Sequence, residues 1–431
     1  MGGQVLLDAG ERALVARIAE RGDEIVALAC ELIAYDTTSR EDPAAPARQE
    51  ADLQGALAER LRAAGAEVEV WEPAPEDVAS HPLAPAGGIG FEGRPQLAAR
   101  LRGSGGGGSL LLNGHIDVVP GQPEQFRPRV EDGRLIGRGA CDMKGGIAAM
   151  VIAAETLAAT GDLRGDVIVC TNTDEESSGV GALACVRRGV AADFAIVPEP
   201  SGLEVWPACR GSTYCNVVVP GRAGHTENGP ADWREGGAVN AIEMARHLLA
   251  GVERLRSEWS GMHHPLLPDP QIVVSRLVAD SGWSVTLPDR ADITLAVLIV
   301  PAQADADGWT QGVRREVETS LREWCDAEPW LAEHPPTFAW HSEVNPSETP
   351  QDAAGVQALL HANAALGLPL TLGGLGSWYD GATFALEADT PAVMYGPRSI
   401  DQAHTVTEFV LVEDLIACAQ GLAIAGRRLC A

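Results

Sequence analysis

The chain has 431 residues, 45% of them hydrophobic, 21% charged and 5% aromatic, a balance that excludes disordered, collagenous and membrane classes and allows about two to three globular domains. Its 32 basic residues against 60 acidic ones leave a formal charge of −28, so polyanions are repelled and neither nucleic acid nor an anionic membrane is an expected partner. Nine cysteines, an odd number with no CxxC pair, fit reduced and mostly buried thiols rather than a disulfide framework. The start MGGQVLLDAGERALVARIAERGDEI lacks the basic stretch and apolar core of a secretory signal, and no apolar run reaches the ~18 residues of a membrane span. A cytoplasmic location is the resulting expectation.

In chain order, Leu14, Ile18, Ile25, Leu28 and Leu32 fall at helical spacing, which predicts an amphipathic helix over residues 10–34, with a second over 46–65. A Pro/Gly-rich loop covers 74–95, and GSGGGGS at 103–109 reads as a flexible hairpin tip. It lacks the Lys-Ser/Thr and following helix of a phosphate-cradling loop. Short apolar runs at 109–115, 166–173, 194–200 and 391–397 then alternate with helical patterns at 144–160, 179–188, 352–365 and 411–427. This predicts an α/β core, a mixed and mainly parallel sheet flanked by helices. Residues 211–345 interrupt it with the order βαββαβ, a ferredoxin-like inserted lid. The expected domains are therefore 1–210 with 346–431, and 211–345.

Candidate chemical groups sit where the predicted strands end, the place where open α/β sheets present their ligand crevice. GHIDVVP holds His115 and Asp117, GRGACDMKGG holds Asp142, and TNTDEESSG holds Asp174, Glu175 and Glu176. VPEPSG holds Glu199 and YGPRSIDQAHTVTEFV holds His404. Each has a plain structural explanation of its own: a hydrogen-bonded strand-end histidine, an N-cap aspartate, a solvated acidic loop. Together, imidazole nitrogens and carboxylates suit zinc or a related divalent ion, and a carboxylate-bridged pair of ions fits the number of donors better than one. One acid, Glu175 or Glu176, is then left over as a proton shuttle. Asp117 lies close enough in sequence to His115 to be the partner that orients it.

These five motifs, in this order, resemble the di-zinc amidohydrolases: aminoacylases, acetylornithine deacetylase, succinyl-diaminopimelate desuccinylase and the glutamate-releasing carboxypeptidases. The resemblance runs over almost the whole chain. It implies two Zn2+ per subunit, with Co2+ or Mn2+ as alternatives, held by His115 and Glu199 on one side, Glu176 and His404 on the other, and Asp142 between them. It further implies Glu175 as general base, Asp117 as the residue that orients His115, and a homodimer formed through the lid. His225, at the end of the GRAGH stretch from Gly221, would reach a partner subunit's site to stabilise an oxyanion. The implied reaction is acyl transfer to water, with Glu175 taking the proton of the water and returning it to the leaving amine.

The chain departs from the family pattern in the lid. Many members bind a substrate carboxylate with an Asn in an N-x-[VI]-P turn and an Arg ten residues beyond the proline. Here SVTLPDRADITLAVLIVP puts Val285 and Leu298 at those positions. A buried carboxylate without a partner costs several kcal/mol, so the substrate is expected to lack a carboxylate there or to present it elsewhere, to Arg276, Arg290 or Arg398. A shifted strand, with another group in the role, is the alternative. GGLGSWYDGATF places Asp380 in a Gly-rich substrate loop, with Trp378 and Tyr379 as an aromatic wall or as packing. The expected function is hydrolysis of the amide of a small N-acylated amine or amino acid. The alternatives are an exopeptidase and a catalytically silent metal-binding scaffold.

Overall fold

Four of the apolar runs become the strands Leu110–His115, Val167–Asn172, Phe194–Val197 and Ala392–Met394 of the computed structural model. The structure describes residues 6–40, 42, 45–85, 87–227 and 232–431; the first five residues of the N-terminal stretch and residue 86 of the 74–95 loop lie outside them. Leu110–His115 pairs in parallel with Val167–Asn172 and with Phe194–Val197, which pairs in parallel with Ala392–Met394. All four therefore end at one edge of the sheet. Every residue of the two longer strands is buried, as expected of parallel strands covered on both faces, which need continuous apolar runs rather than alternating ones. Antiparallel strands extend the sheet, Gln96–Leu101 and Glu67–Trp71 on one side and Val205–Cys209 on the other.

On one face Leu111, Ile168, Cys170 and Ala195 pack with Ala182, Cys185 and Phe384. Elsewhere the helix Lys144–Ala158 packs against Val412–Leu429, and each of its residues from Lys144 to Ala154 is buried. Its first turn needs Gly146: a Cβ there would lie 2.1 Å from the carbonyl oxygen of Pro198, in the segment that carries Glu199. Close approach of helix and loop, made feasible by glycine, thus sets two candidate ligands side by side.

The single helix expected over 10–34 is two, Ala9–Glu20 and Gly22–Ala34. The apolar spacing continues through Arg21, but that residue's guanidinium donates to Glu24 at 2.7 Å, to Thr156 at 3.0 Å and to Glu155, and the chain turns there to reach them. The glycine-rich segment 103–109 is not a hairpin tip. The strands it joins are separated by Val167–Asn172, and the segment is pinned instead on residues 163–166, with Gly103 N–H donating to Asp166 at 3.0 Å and Gly105 N–H to the Arg164 carbonyl at 2.7 Å.

Contacts divide the chain into two units: one of residues up to Ala208 with Ser347–Leu375 and Tyr379–Ala431, the other of Cys209–Pro346 with Gly376–Trp378. The second unit contains, in order, strand Gly211–Pro220, helix Ala241–Trp259, strands Gln271–Val278 and Arg290–Ile299, helix Gln311–Cys325 and strand Thr337–Val344. Its antiparallel sheet runs Gln271–Val278, Arg290–Ile299, Gly211–Pro220, Thr337–Val344. Alternate residues such as Val217, Val219, Ile293 and Leu295 meet Leu248, Val252, Val317 and Leu321 of the helices, the period-two pattern of a sheet covered on one face. Among the described residues no helix is long and apolar enough to cross a membrane.

Candidate active site

The shared edge of the parallel strands gathers the predicted groups of the first unit. His115 is the last residue of its strand, Asp174–Glu176 follow Val167–Asn172, and Glu199 follows Phe194–Val197. His115 Nε2 lies 3.1 Å from Asp142 Oδ1 and 3.2 Å from Glu199 Oε1. On the other side of Asp142, His404 Nε2 lies 3.3 Å from Asp142 Oδ2 and 3.1 Å from Glu176 Oε2. His115, Asp142 and Glu199 form one group able to hold a cation, Asp142, Glu176 and His404 a second, each with its ligand atoms within 4.8 Å of one another. Asp142 belongs to both.

The tautomer of His115 follows from its other nitrogen. Nδ1 is 2.9 Å from the carbonyl oxygen of Asp117, which can only accept, so Nδ1 carries the proton and Nε2 is the ligand atom. The orienting contact from Asp117 is thus its main chain; its carboxylate, 3.7 Å from Nδ1, accepts instead from the N–H groups of Glu175 at 3.3 Å and Glu176 at 3.2 Å. One residue therefore holds both the imidazole and the turn bearing the two glutamates.

The electrostatics are those of crowded, partly dehydrated acids. Burial pushes Asp117 up to about 6, and burial with the Asp142 charge pushes Glu199 up to about 8. Glu175 is driven well above the ordinary carboxylate range by burial and by Asp380, Glu199 and Glu176. Hydrogen bonds with Asp142 and Glu176 raise His404 to about 10, and against its own burial the two histidines hold Asp142 below the usual value. Two imidazole nitrogens and three carboxylates converging in this way form a donor set suited to two divalent cations. Glu175 belongs to neither group.

The structure also reveals a residue the sequence reading missed. Glu408, 1% exposed, accepts through Oε1 the N–H groups of Gly139 at 3.0 Å, Cys141 at 2.9 Å and Asp142 at 3.1 Å, and through Oε2 the Arg138 guanidinium at 2.5 Å. It ties the His404 loop to the loop presenting Asp142. It lies within the AHTVTEF motif, four residues after His404, but its partners are visible only in three dimensions.

The predicted substrate residues lie apart in character. Asp380 is fully buried, accepts from Asn172 at 2.6 Å and is pushed up to about 7 by burial. Tyr379 is 2% exposed and packs within the first unit, while Trp378 falls in the second. Arg398 stacks over the Phe409 ring at 4.6 Å, and Arg290 is paired with Asp292 at 2.9 Å. In the second unit the short strand Gly224–His225 pairs with Thr286–Leu287, so exposed His225 stands opposite Thr286, next to Val285.

Fold and donor set together define a hydrolase class with two adjacent cation positions at the carboxyl edge of a sheet. The model of peptidase family M20/M25/M40 matches residues 111–425, and the chain belongs to that family, hydrolases of amide bonds. It is similar to the N-formyl-4-amino-5-aminomethyl-2-methylpyrimidine deformylase of Bacillus subtilis, 26% identical with 94% of each chain covered. It is also similar to the succinyl-diaminopimelate desuccinylase of Xanthomonas campestris pv. campestris, 29% identical over 72% of this chain and 80% of that one. Among solved structures, Bacillus cereus aminopeptidase PepT shares the fold, with a TM-score of 0.71 at 18% identity over 95% of this chain and 98% of that one.

Proposed function

We propose that the protein is a cytoplasmic, homodimeric deacylase that hydrolyses the amide of a small N-acylated amine or amino acid at a two-zinc centre. The observation carrying this reading is the pair of ligand groups joined at Asp142, with the Glu175 carboxylate beside them and outside both. The relatives covering most of the chain are named for removing formyl and succinyl groups, which favours a deacylase over a peptidase. Val285 and Leu298, in place of polar carboxylate anchors, favour it too. Nine free cysteines, eight of them buried, suit a reducing compartment.

His115, Glu199, Asp142, Glu176 and His404 hold the cations, which when bound supply Lewis acidity for the water nucleophile and the amide carbonyl. Glu175 accepts the proton of the attacking water and delivers it to the leaving nitrogen. The partner subunit's His225 donates to the oxyanion of the tetrahedral intermediate. Asp380, Trp378, Tyr379 and Arg398 shape the substrate side.

A screen of N-formyl, N-acetyl, N-succinyl and dipeptide substrates tests the reading, with Glu175→Gln as the control. N-acyl amines should be cleaved, and the variant should lose about 10²–10⁴-fold in kcat, the contribution of a positioned general base. Cleavage of dipeptides alone, or full activity in the variant, would overturn it.

A further inference from the structure

Around His225 the second unit is built more closely than an exposed histidine needs. Gly221 lies so near the segment 238–241 that a Cβ on it would stand 2.6 Å from the Val239 carbonyl oxygen and 2.7 Å from the Ala241 nitrogen. A Cβ on Gly224 would stand 2.3 Å from that of Ala238. Only glycine permits both approaches. The strand Gly224–His225 is thus backed by Ala238 as well as paired with Thr286–Leu287.

Arg222 holds the backing segment in place. Its N–H donates to the Val239 carbonyl at 2.7 Å and its carbonyl accepts from the Val239 N–H at 2.9 Å. Its guanidinium donates through Nη1 to the carbonyl oxygens of Trp233 at 2.5 Å and Gly237 at 3.4 Å, and lies 5.0 Å over the Trp330 ring. Trp330 is itself fixed: it is 3% exposed, its indole donates to the Pro220 carbonyl at 2.9 Å, and His334 stacks on it at 3.7 Å. One side chain therefore fastens the stretch that backs Gly224 to an immobile ring, by hydrogen bonds and by a cation–π contact.

The proton on His225 has a fixed place too. The N–H of Glu227 donates to Nδ1 at 3.2 Å. An N–H can only donate, so Nδ1 is the bare nitrogen and Nε2 carries the proton. The imidazole then offers its donor on the side away from its own turn.

We propose that Arg222 is a positioning residue for His225: by fixing the segment behind Gly224 it keeps the strand seated and the Glu227 turn closed, so that Nε2–H is aimed as a donor to the substrate oxygen. The proposal rests on the reading above for what His225 does in a partner's site, and on the geometry of this chain alone for how it is held. A donor stabilises a developing oxyanion best when it stands in place before the charge appears, and a misplacement of about 1 Å can cost about 100-fold in rate.

Two readouts test it. In kinetics of the zinc-loaded enzyme on an N-acyl amine, Arg222→Gln should lower kcat by about 10-fold to 100-fold with KM and zinc content unchanged. Arg222→Lys, which keeps a cation over Trp330, should recover part of the loss. His225→Ala should lose at least as much, and Arg222→Gln combined with His225→Ala no more than His225→Ala alone, because the two residues act as one unit. His225→Gln, whose amide nitrogen stands where Nε2 does, should keep more activity than His225→Asn, whose nitrogen stands where Nδ1 does. The second readout needs no turnover: in enzyme labelled with ¹⁵N-histidine, the magnetic resonance spectrum of His225 should show the Nε2–H tautomer in the wild type and a mixture in Arg222→Gln. Losses that add in the double variant, an Asn variant better than the Gln variant, full activity in His225→Ala, or a tautomer unmoved by Arg222→Gln would overturn the proposal. The predicted tautomer change without hydrolysis of any N-acyl amine would leave the positioning of His225 standing and overturn the deacylase reading.

Discussion

Glu408 concentrates four hydrogen bonds on one buried carboxylate, three of them from the loop amides of Gly139, Cys141 and Asp142. A glutamine in its place keeps one acceptor oxygen and turns an NH2 group toward donors, leaving either the amides or Arg138 unpaired. Glu408→Gln should cost about 1–3 kcal/mol of stability, and about 10–100-fold in metal affinity, as expected when the support of a ligand is lost. Thermal unfolding and competition with a chelator measure the two effects. An unchanged affinity would show that the Asp142 loop holds its shape without Glu408. His404 is a second residue under constraint, with φ at +62°, a left-handed conformation that a non-glycine residue adopts at a cost and that here turns the imidazole toward Asp142 and Glu176.

Helix junctions show why some features escaped the sequence. Leu14, Ile18, Ile25, Leu28 and Leu32 keep one helical rhythm, yet the helix divides at Arg21, because the ion-pair network that turns it involves Glu155, more than a hundred residues away. That network also includes Arg60, which donates to Glu155 at 2.7 Å and pairs with Glu24 at 2.5 Å. Hydrogen bonding to Arg21, then to Arg60, holds Glu24 down at about 2 against an ordinary value of 4.5. A carboxylate whose pKa is lowered by folding stabilises the fold above its unfolded value and loses that contribution as pH falls through its folded one. The gap in Tm between wild type and Glu24→Gln should therefore be constant above about pH 5 and close between about pH 4.5 and 2. A gap that persists at pH 2 would contradict the assignment. With Glu24 partly exposed, the effect should also shrink in high salt.

At the scale of the molecule, the residues at strand ends were legible because a parallel sheet places each of them at the same edge, and each run carried its own turn signals. The order βαββαβ was legible in the second unit because its strands alternate and its helices do not. Lost from view were features that depend on what lies between elements: the strand Val167–Asn172 that separates the two ends of the glycine-rich segment, the Glu408 contacts, and the small sheet of Arg129–Glu131, Arg134–Ile136 and Phe409–Leu411. Asp117 was legible as a partner of His115, but not that its carbonyl makes the contact while its carboxylate holds the Glu175–Glu176 turn.

Metal content decides whether the convergence of His115, Asp142, Glu176, Glu199 and His404 has the meaning assigned to it. Protein loaded with zinc and dialysed to equilibrium should retain two equivalents per chain by elemental analysis, and Asp142→Ala, which removes the carboxylate common to both groups, should lose both. Retention of no stoichiometric metal by the wild type, or of the full complement by Asp142→Ala, would contradict the account.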